Sequence, residues 1–127
     1  MEGYRVEVFK SEGLTPKQKI AIKNFDNALR LDEATAGGNS VIMHPVAYAH
    51  VHVTNEYSKN DKEYDKYIFV GDGGEMYVTG SLPACNAFMD IWDDRQELDE
   101  AGEEWNIQFY AEASKNQPGE FISCRII

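Results

Sequence analysis

Cationic side chains are scarce in this sequence: 12 lysines and arginines face 22 aspartates and glutamates, for a formal net charge of −10. That balance argues against a partner held mainly by neutralising phosphates. Apolar runs are short. None approaches the roughly 18 residues of a membrane-spanning helix, and no apolar leader segment opens the chain, so the expectation is a cytoplasmic protein with no membrane partner. Cysteine is limited to Cys85 and Cys124. Both fall at apolar-periodic positions, which reads as reduced core thiols rather than a disulfide framework. The phosphate-cradling GxxxxGK, a GxGxxG after a strand and HExxH are all missing. With no catalytic constellation marked by spacing, no enzyme activity and no cofactor are expected. His50 and His52 share a strand face and His44 is a third candidate ligand, but no acid or cysteine is spaced to complete a set, and no metal is assigned.

What is present is a run of β-like segments between Val46 and Thr79. Ala47, Ala49, Val51 and Val53 alternate with Tyr48, His50, His52 and Thr54, the period of a strand with one buried face. Ile68 and Val70 then alternate with Tyr67 and Phe69, and Met76 and Val78 with Tyr77. Gly71, Asp72, Gly73 and Gly74 read as the tight turn between the last two segments. Tyr48, His50, His52, Tyr67, Phe69 and Tyr77 are therefore expected on an outward face, as a stacking surface for flat ligands. The polar stretch from Tyr57 to Lys66 reads as a hairpin loop that adds Tyr57, Tyr64, Lys59, Lys62 and Lys66 to the binding set.

A chain of this length is read as one domain, residues 1–127, with a strand and helix in residues 1–35 as an N-terminal extension and residues 40–127 as the core. In the extension Val6 and Val8 alternate with Arg5 and Glu7. Thr15, Pro16 and Gln18 have the spacing of a capping box opening a helix. Pro45 marks a bend or bulge. Ser81 caps a helix running to about Arg95, whose Leu82, Cys85, Phe88, Met89 and Trp92 form an apolar stripe. Trp105, Ile107 and Phe109 open a fourth strand. A fifth closes the chain, with Ile122, Cys124 and Ile126 inward and Arg125 outward. Charge is concentrated between Asp90 and Glu104, where eight acids and one base give −7, leaving −3 for all other residues.

The fold class expected from this order is mainly β: an OB-fold-like five-stranded barrel, β-β-β-α-β-β, preceded by the extension. The order, together with Ala36-Gly37-Gly38-Asn39-Ser40, the string from Phe69 to Tyr77, Thr79-Gly80-Ser81, Ser114-Lys115 and Glu120-Phe121, resembles the small single-stranded DNA-binding proteins of tailed bacteriophages, including protein-primed phages. The resemblance implies a protein that coats single strands without sequence preference during phage DNA replication or recombination. Tyrosines would do so at the positions of Tyr48, Tyr57 and Tyr77. For such binding the residues offer Lys10, Lys17, Lys19, Lys23, Lys59, Lys62, Lys66, Lys115 and Arg125 as phosphate contacts. Such proteins often end in an acidic tail, whereas this chain ends in a core-like strand. The block from Asp90 to Glu104 is then the segment left for recruiting replication or recombination proteins. Two other readings fit the residues: an acidic DNA mimic that inhibits a host defence or nucleic-acid-binding protein, and a carbohydrate-binding module using the tyrosines.

Overall fold

The computed structural model describes residues 4–23, 28–55, 63–114 and 119–127. In chain order its elements are β1 (Tyr4–Glu12), α1 (Pro16–Ala21), β2 (Leu29–Arg30), α2 (Leu31–Ala34), a 3₁₀ turn at Ala36–Gly38, β3 (Ser40–Met43), β4 (Pro45–Asn55), β5 (Glu63–Gly71), β6 (Met76–Thr79), α3 (Leu82–Trp92), α4 (Arg95–Glu100), β7 (Ile107–Ala113) and β8 (Glu120–Ile126). The described residues are mainly β, in two sheets, and form two compact units. No described helix is long and apolar enough to cross a membrane.

The first unit comprises Met1–Arg30 and Pro45–Gly80. Its sheet has the order β1-β4-β5-β6-β2, antiparallel except for the short parallel pairing of β2 with β6. The alternation read from the sequence sets one face: Ala47, Ala49, Val51, Val53, Ile68, Val70, Met76 and Val78 form an aliphatic core with Ile22. Residues 1–35, set apart as an extension in the sequence reading, supply β1 on the edge of this sheet and Ile22 to its core. The capping box is present, with the Gln18 amide donating to the Thr15 hydroxyl at 3.2 Å and the Thr15 amide to Gln18 Oε1 at 2.9 Å. Gly13 lies at φ +78°, where a Cβ would run into the Val46 carbonyl oxygen, so the β1–α1 turn requires glycine. Gly74, at φ +87°, closes the β5–β6 hairpin with its amide on the Gly71 carbonyl. Pro45 lies where the β4–β5 register shifts, the bulge expected of a residue that cannot donate to a ladder.

The second unit comprises Leu31–His44 and Ser81–Ile127, with the antiparallel sheet β3-β7-β8. Ser81 caps α3 through the Ala84 amide. The buried positions of α3 are Ala84, Phe88 and Trp92; Leu82 is exposed, and Cys85 and Met89 are half-buried. The buried stripe thus follows the i, i+4 row of Ala84, Phe88 and Trp92, about one sixth of a turn from the expected one, and Leu82 falls outside it in the first turn. The helix ends at Trp92 rather than near Arg95, and α4 follows as a separate short helix. Ile126, expected inward, is exposed at the end of β8, while Ile122 and Cys124 are buried. Both cysteines are free, and burial pushes the Cys124 thiol up to about 12, which keeps it protonated and unreactive.

Candidate functional site

The aromatic face of the five-stranded sheet is largely shut away. Tyr48, Tyr67 and Phe69 are 3%, 6% and 1% exposed, which overturns their expected place on an outward stacking surface. Tyr77, opposite Phe69 on β6, is half-buried. The physical reason is local and was readable: Tyr67-Ile68-Phe69-Val70 is a continuous apolar run, the mark of a strand covered on both faces, and all four residues are buried.

Toward the other end of the same face the ladder opens. A bulge between Val8 and Lys10 in β1 inserts Phe9 beside His50, and Phe9 is 76% exposed. The Phe9 and His50 rings are 5.0 Å apart at 55°, and the His50 and Tyr67 rings 4.7 Å apart at 46°. A bulge re-aims the side chain it inserts; here it holds an apolar ring in solvent on a half-buried imidazole, with Lys10 paired opposite His50. The sequence reading missed Phe9. Its signal was present, since Phe9 keeps phase with Arg5 and Glu7 on the polar side of an alternating strand.

Beyond His50 the face becomes charged. His52 Nδ1 lies 2.9 Å from Asp65 Oδ1, its Nε2 lies 3.8 Å from Glu63, and His50 Nε2 lies 3.7 Å from Asp65 Oδ2. Glu7 pairs opposite His52 from β1. The hydrogen bond to Asp65 raises the His52 pKa above its ordinary 6.5, and the same bond lowers that of Asp65 below 3.8. Both shifts favour the ion pair. The Asp65 contribution is present above pH 3.8 and is lost as pH falls through its lowered pKa. The His52 contribution is present below pH 6.5 and is lost as pH rises through its raised pKa. Stability should therefore carry a shallow component that is greatest between about pH 4 and 6.5, and His52→Ala should flatten it. Thermal midpoints measured across pH for both proteins test this; unchanged pH dependence in the variant would remove the pair from the account.

Other expected site residues are dispersed. Tyr64 and Lys66, read as loop, belong to β5 and face the aliphatic side, opposite Val53 and Val51, with Lys66 Nζ 5.6 Å from the Tyr64 ring centre. Alternating polar charge in that stretch imitates a loop, but it is also what the partly solvated end of a strand shows. Tyr57, Lys59, Lys62 and Lys115 lie outside the described residues. Arg125 lies on the exposed side of β8 in the second unit.

His44, weighed as a third metal ligand, hydrogen-bonds the Trp105 carbonyl through Nδ1 at 2.8 Å and meets the Trp105 ring edge-on at 4.6 Å. Among the described residues no three His, Cys, Asp or Glu side chains are grouped to hold a metal ion. In the acidic block, Trp105 Nε1 donates to Asp99, and Arg95 stacks on the Trp92 ring at 4.2 Å while donating to the Trp92 carbonyl. Asp90, Asp93, Asp94, Glu97, Glu100, Glu103 and Glu104 are exposed.

No family model matches the chain, and no solved structure matches it. Among curated proteins, dihydroxy-acid dehydratases of Syntrophotalea carbinolica and Methanococcoides burtonii are 35% and 40% identical to it over 48 residues. Those residues are 38% of this chain and span 9% of each dehydratase.

Proposed function

We propose that this protein binds single-stranded DNA without sequence preference, through the open end of the aromatic ladder where Phe9 leads into His50 and Tyr67. The exposed, bulge-held Phe9 ring carries this reading. Base stacking on such a ring is worth about 1–3 kcal/mol per base and tolerates any sequence, and a base on Phe9 would join a run of ring contacts, each tilted on the next, from Phe9 through His50 to Tyr67. Arg5 and Lys10 lie on the same strand as Phe9, interspersed with Glu7 and Glu12, so that phosphate contacts there are few and stacking carries the binding. The connectivity from β3 onward supports an OB-fold-like arrangement. A long extended segment interrupted at His44 pairs with β7 before the break and with β5 after it, and α3 lies between β6 and β7.

A nuclease-protection role in phage replication or recombination would follow from such binding. The dehydratase likeness covers too little of those proteins to bear on it. The exposed carboxylates between Asp90 and Glu104 favour a second reading, an acidic mimic of a phosphate backbone that occupies a basic groove on another protein. Fluorescence anisotropy with labelled oligo-dT and with duplex of equal length separates the two. Tighter binding to oligo-dT, with about 1–3 kcal/mol lost in Phe9→Ala at an unchanged thermal midpoint, is the expected result. With a net charge of −10, log affinity should fall only shallowly against log salt, by about 0.7 per phosphate contact. Equal affinity for the duplex, or normal binding by Phe9→Ala, would sink the proposal. Absence of binding at any salt would turn attention to the mimic and to charge reversal at Asp93, Asp94 and Glu97.

A further inference from the structure

On the exposed side of the three-stranded sheet, a chain of polar contacts crosses all three strands and ends on an arginine. Arg125 Nε on β8 donates to Gln108 Oε1 on β7 at 2.7 Å, and Gln108 Nε2 donates to Ser40 Oγ on β3 at 3.0 Å. The guanidinium rests over the Tyr110 ring, 4.5 Å from its centre. Strand register makes this a fixed array, since Gln108 lies opposite Arg125 and Tyr110 lies opposite Ser40.

Two features set Arg125 apart from an ordinary surface cation. It is exposed, yet its plane is fixed from two directions, by Tyr110 beneath and Gln108 at Nε. In a chain with 22 acids, it also makes no salt bridge with a described carboxylate; both anchors are neutral. Of its five N–H donors one is engaged, and those on the terminal nitrogens make no hydrogen bond to a described residue. A guanidinium fork that no described carboxylate neutralises, already ordered, matches the two-oxygen edge of a phosphate and loses little entropy in binding it. The outer face of the guanidinium plane offers a stacking surface for a flat group attached to that phosphate.

We infer that Arg125, oriented by Gln108 and Tyr110, is a phosphate-binding site, taking either the phosphodiester of a single strand or a free phosphate. It belongs to the second unit and Phe9 to the first, and it does not rest on that reading. The test follows the Arg125 Nε–H resonance of the full chain by NMR, assigned by its loss in Arg125→Lys. Dimethyl phosphate, inorganic phosphate and oligo-dT are added in turn, with chloride at matched ionic strength as the control. A saturable shift with a phosphate compound and none with chloride is expected. Arg125→Lys keeps the charge but loses the fork, and should weaken phosphate-dependent binding about tenfold, the loss of about one charge-assisted hydrogen bond. Gln108→Ala leaves Arg125 in place but unanchored. It should weaken binding in the same direction without moving the thermal midpoint, a readout that a merely structural surface pair would not affect.

Saturation by oligo-dT far below the dimethyl phosphate concentration, with the two competing, assigns the site to a strand; saturation by inorganic phosphate alone assigns it to the free anion. Equal shifts with phosphate and chloride, or unchanged binding in Arg125→Lys, overturn the inference. If oligo-dT binding depends on Phe9 while the Arg125 resonance stays still, the strand reading stands and this one falls. If phosphate moves Arg125 but no oligonucleotide binds, the reverse holds.

Discussion

Phe88→Ala is expected to lower the unfolding free energy by about 3–5 kcal/mol, the cost of removing a large ring from a position with no solvent contact. Phe88 is wholly buried on α3, stacked on Trp92 one turn along at 5.6 Å and 22°, and facing Phe109 of β7 at 6.5 Å and 14°. Truncation leaves a cavity bounded by two rings, and near-parallel aromatic contacts contribute beyond their buried area. Both tryptophans, Trp92 and Trp105, lie in the same unit as Phe88, so intrinsic fluorescence during urea unfolding reads the affected region directly. Phe88→Leu should lose clearly less, because it refills most of the volume. A loss below about 1 kcal/mol in the alanine variant would mean that the site collapses around the smaller side chain and that this stack does not organise its unit.

Phe69→Ala is expected to destabilise by a similar amount, about 3–5 kcal/mol, for a reason that opposes the first expectation from sequence. Phe69 is registered between Tyr48 of β4 and Tyr77 of β6, and neither it nor Tyr48 has appreciable solvent contact. Removing it should lower the thermal midpoint and speed hydrogen exchange along β5, and Tyr48→Ala should act in the same direction. Phe9→Ala, on the same face but in solvent, should do neither. Were Phe69→Ala and Tyr48→Ala to stay as stable as wild type while binding oligo-dT more weakly, those rings would face outward in solution and the binding surface would extend across the whole ladder.

Much of this protein was legible in local pattern. Alternation of Ala47, Ala49, Val51 and Val53 against Tyr48, His50 and His52 was enough to place the aliphatic core face, because side chains in a strand divide strictly by twos. The Thr15 cap, the glycine turn before Met76, the break at Pro45 and the buried Phe88 were equally readable, each resting on steric or hydrogen-bonding needs within a few residues. What alternation leaves open is which side of a strand meets water. Tyr48, Tyr67 and Phe69 share a side with Phe9, His50 and His52, yet the first three are buried and Phe9 is in solvent. The difference arises from pairings between distant segments. Phe9 is inserted by a bulge that exists only because β1, some 40 residues earlier, pairs with β4. Likewise the Arg125–Gln108–Ser40 chain joins residues 68 and 17 positions apart, an adjacency created by strand register alone. Sequence period determines the two faces of each strand, whereas solvent exposure and side-chain partnership depend on which strands lie alongside, and that is decided only when the whole chain has folded.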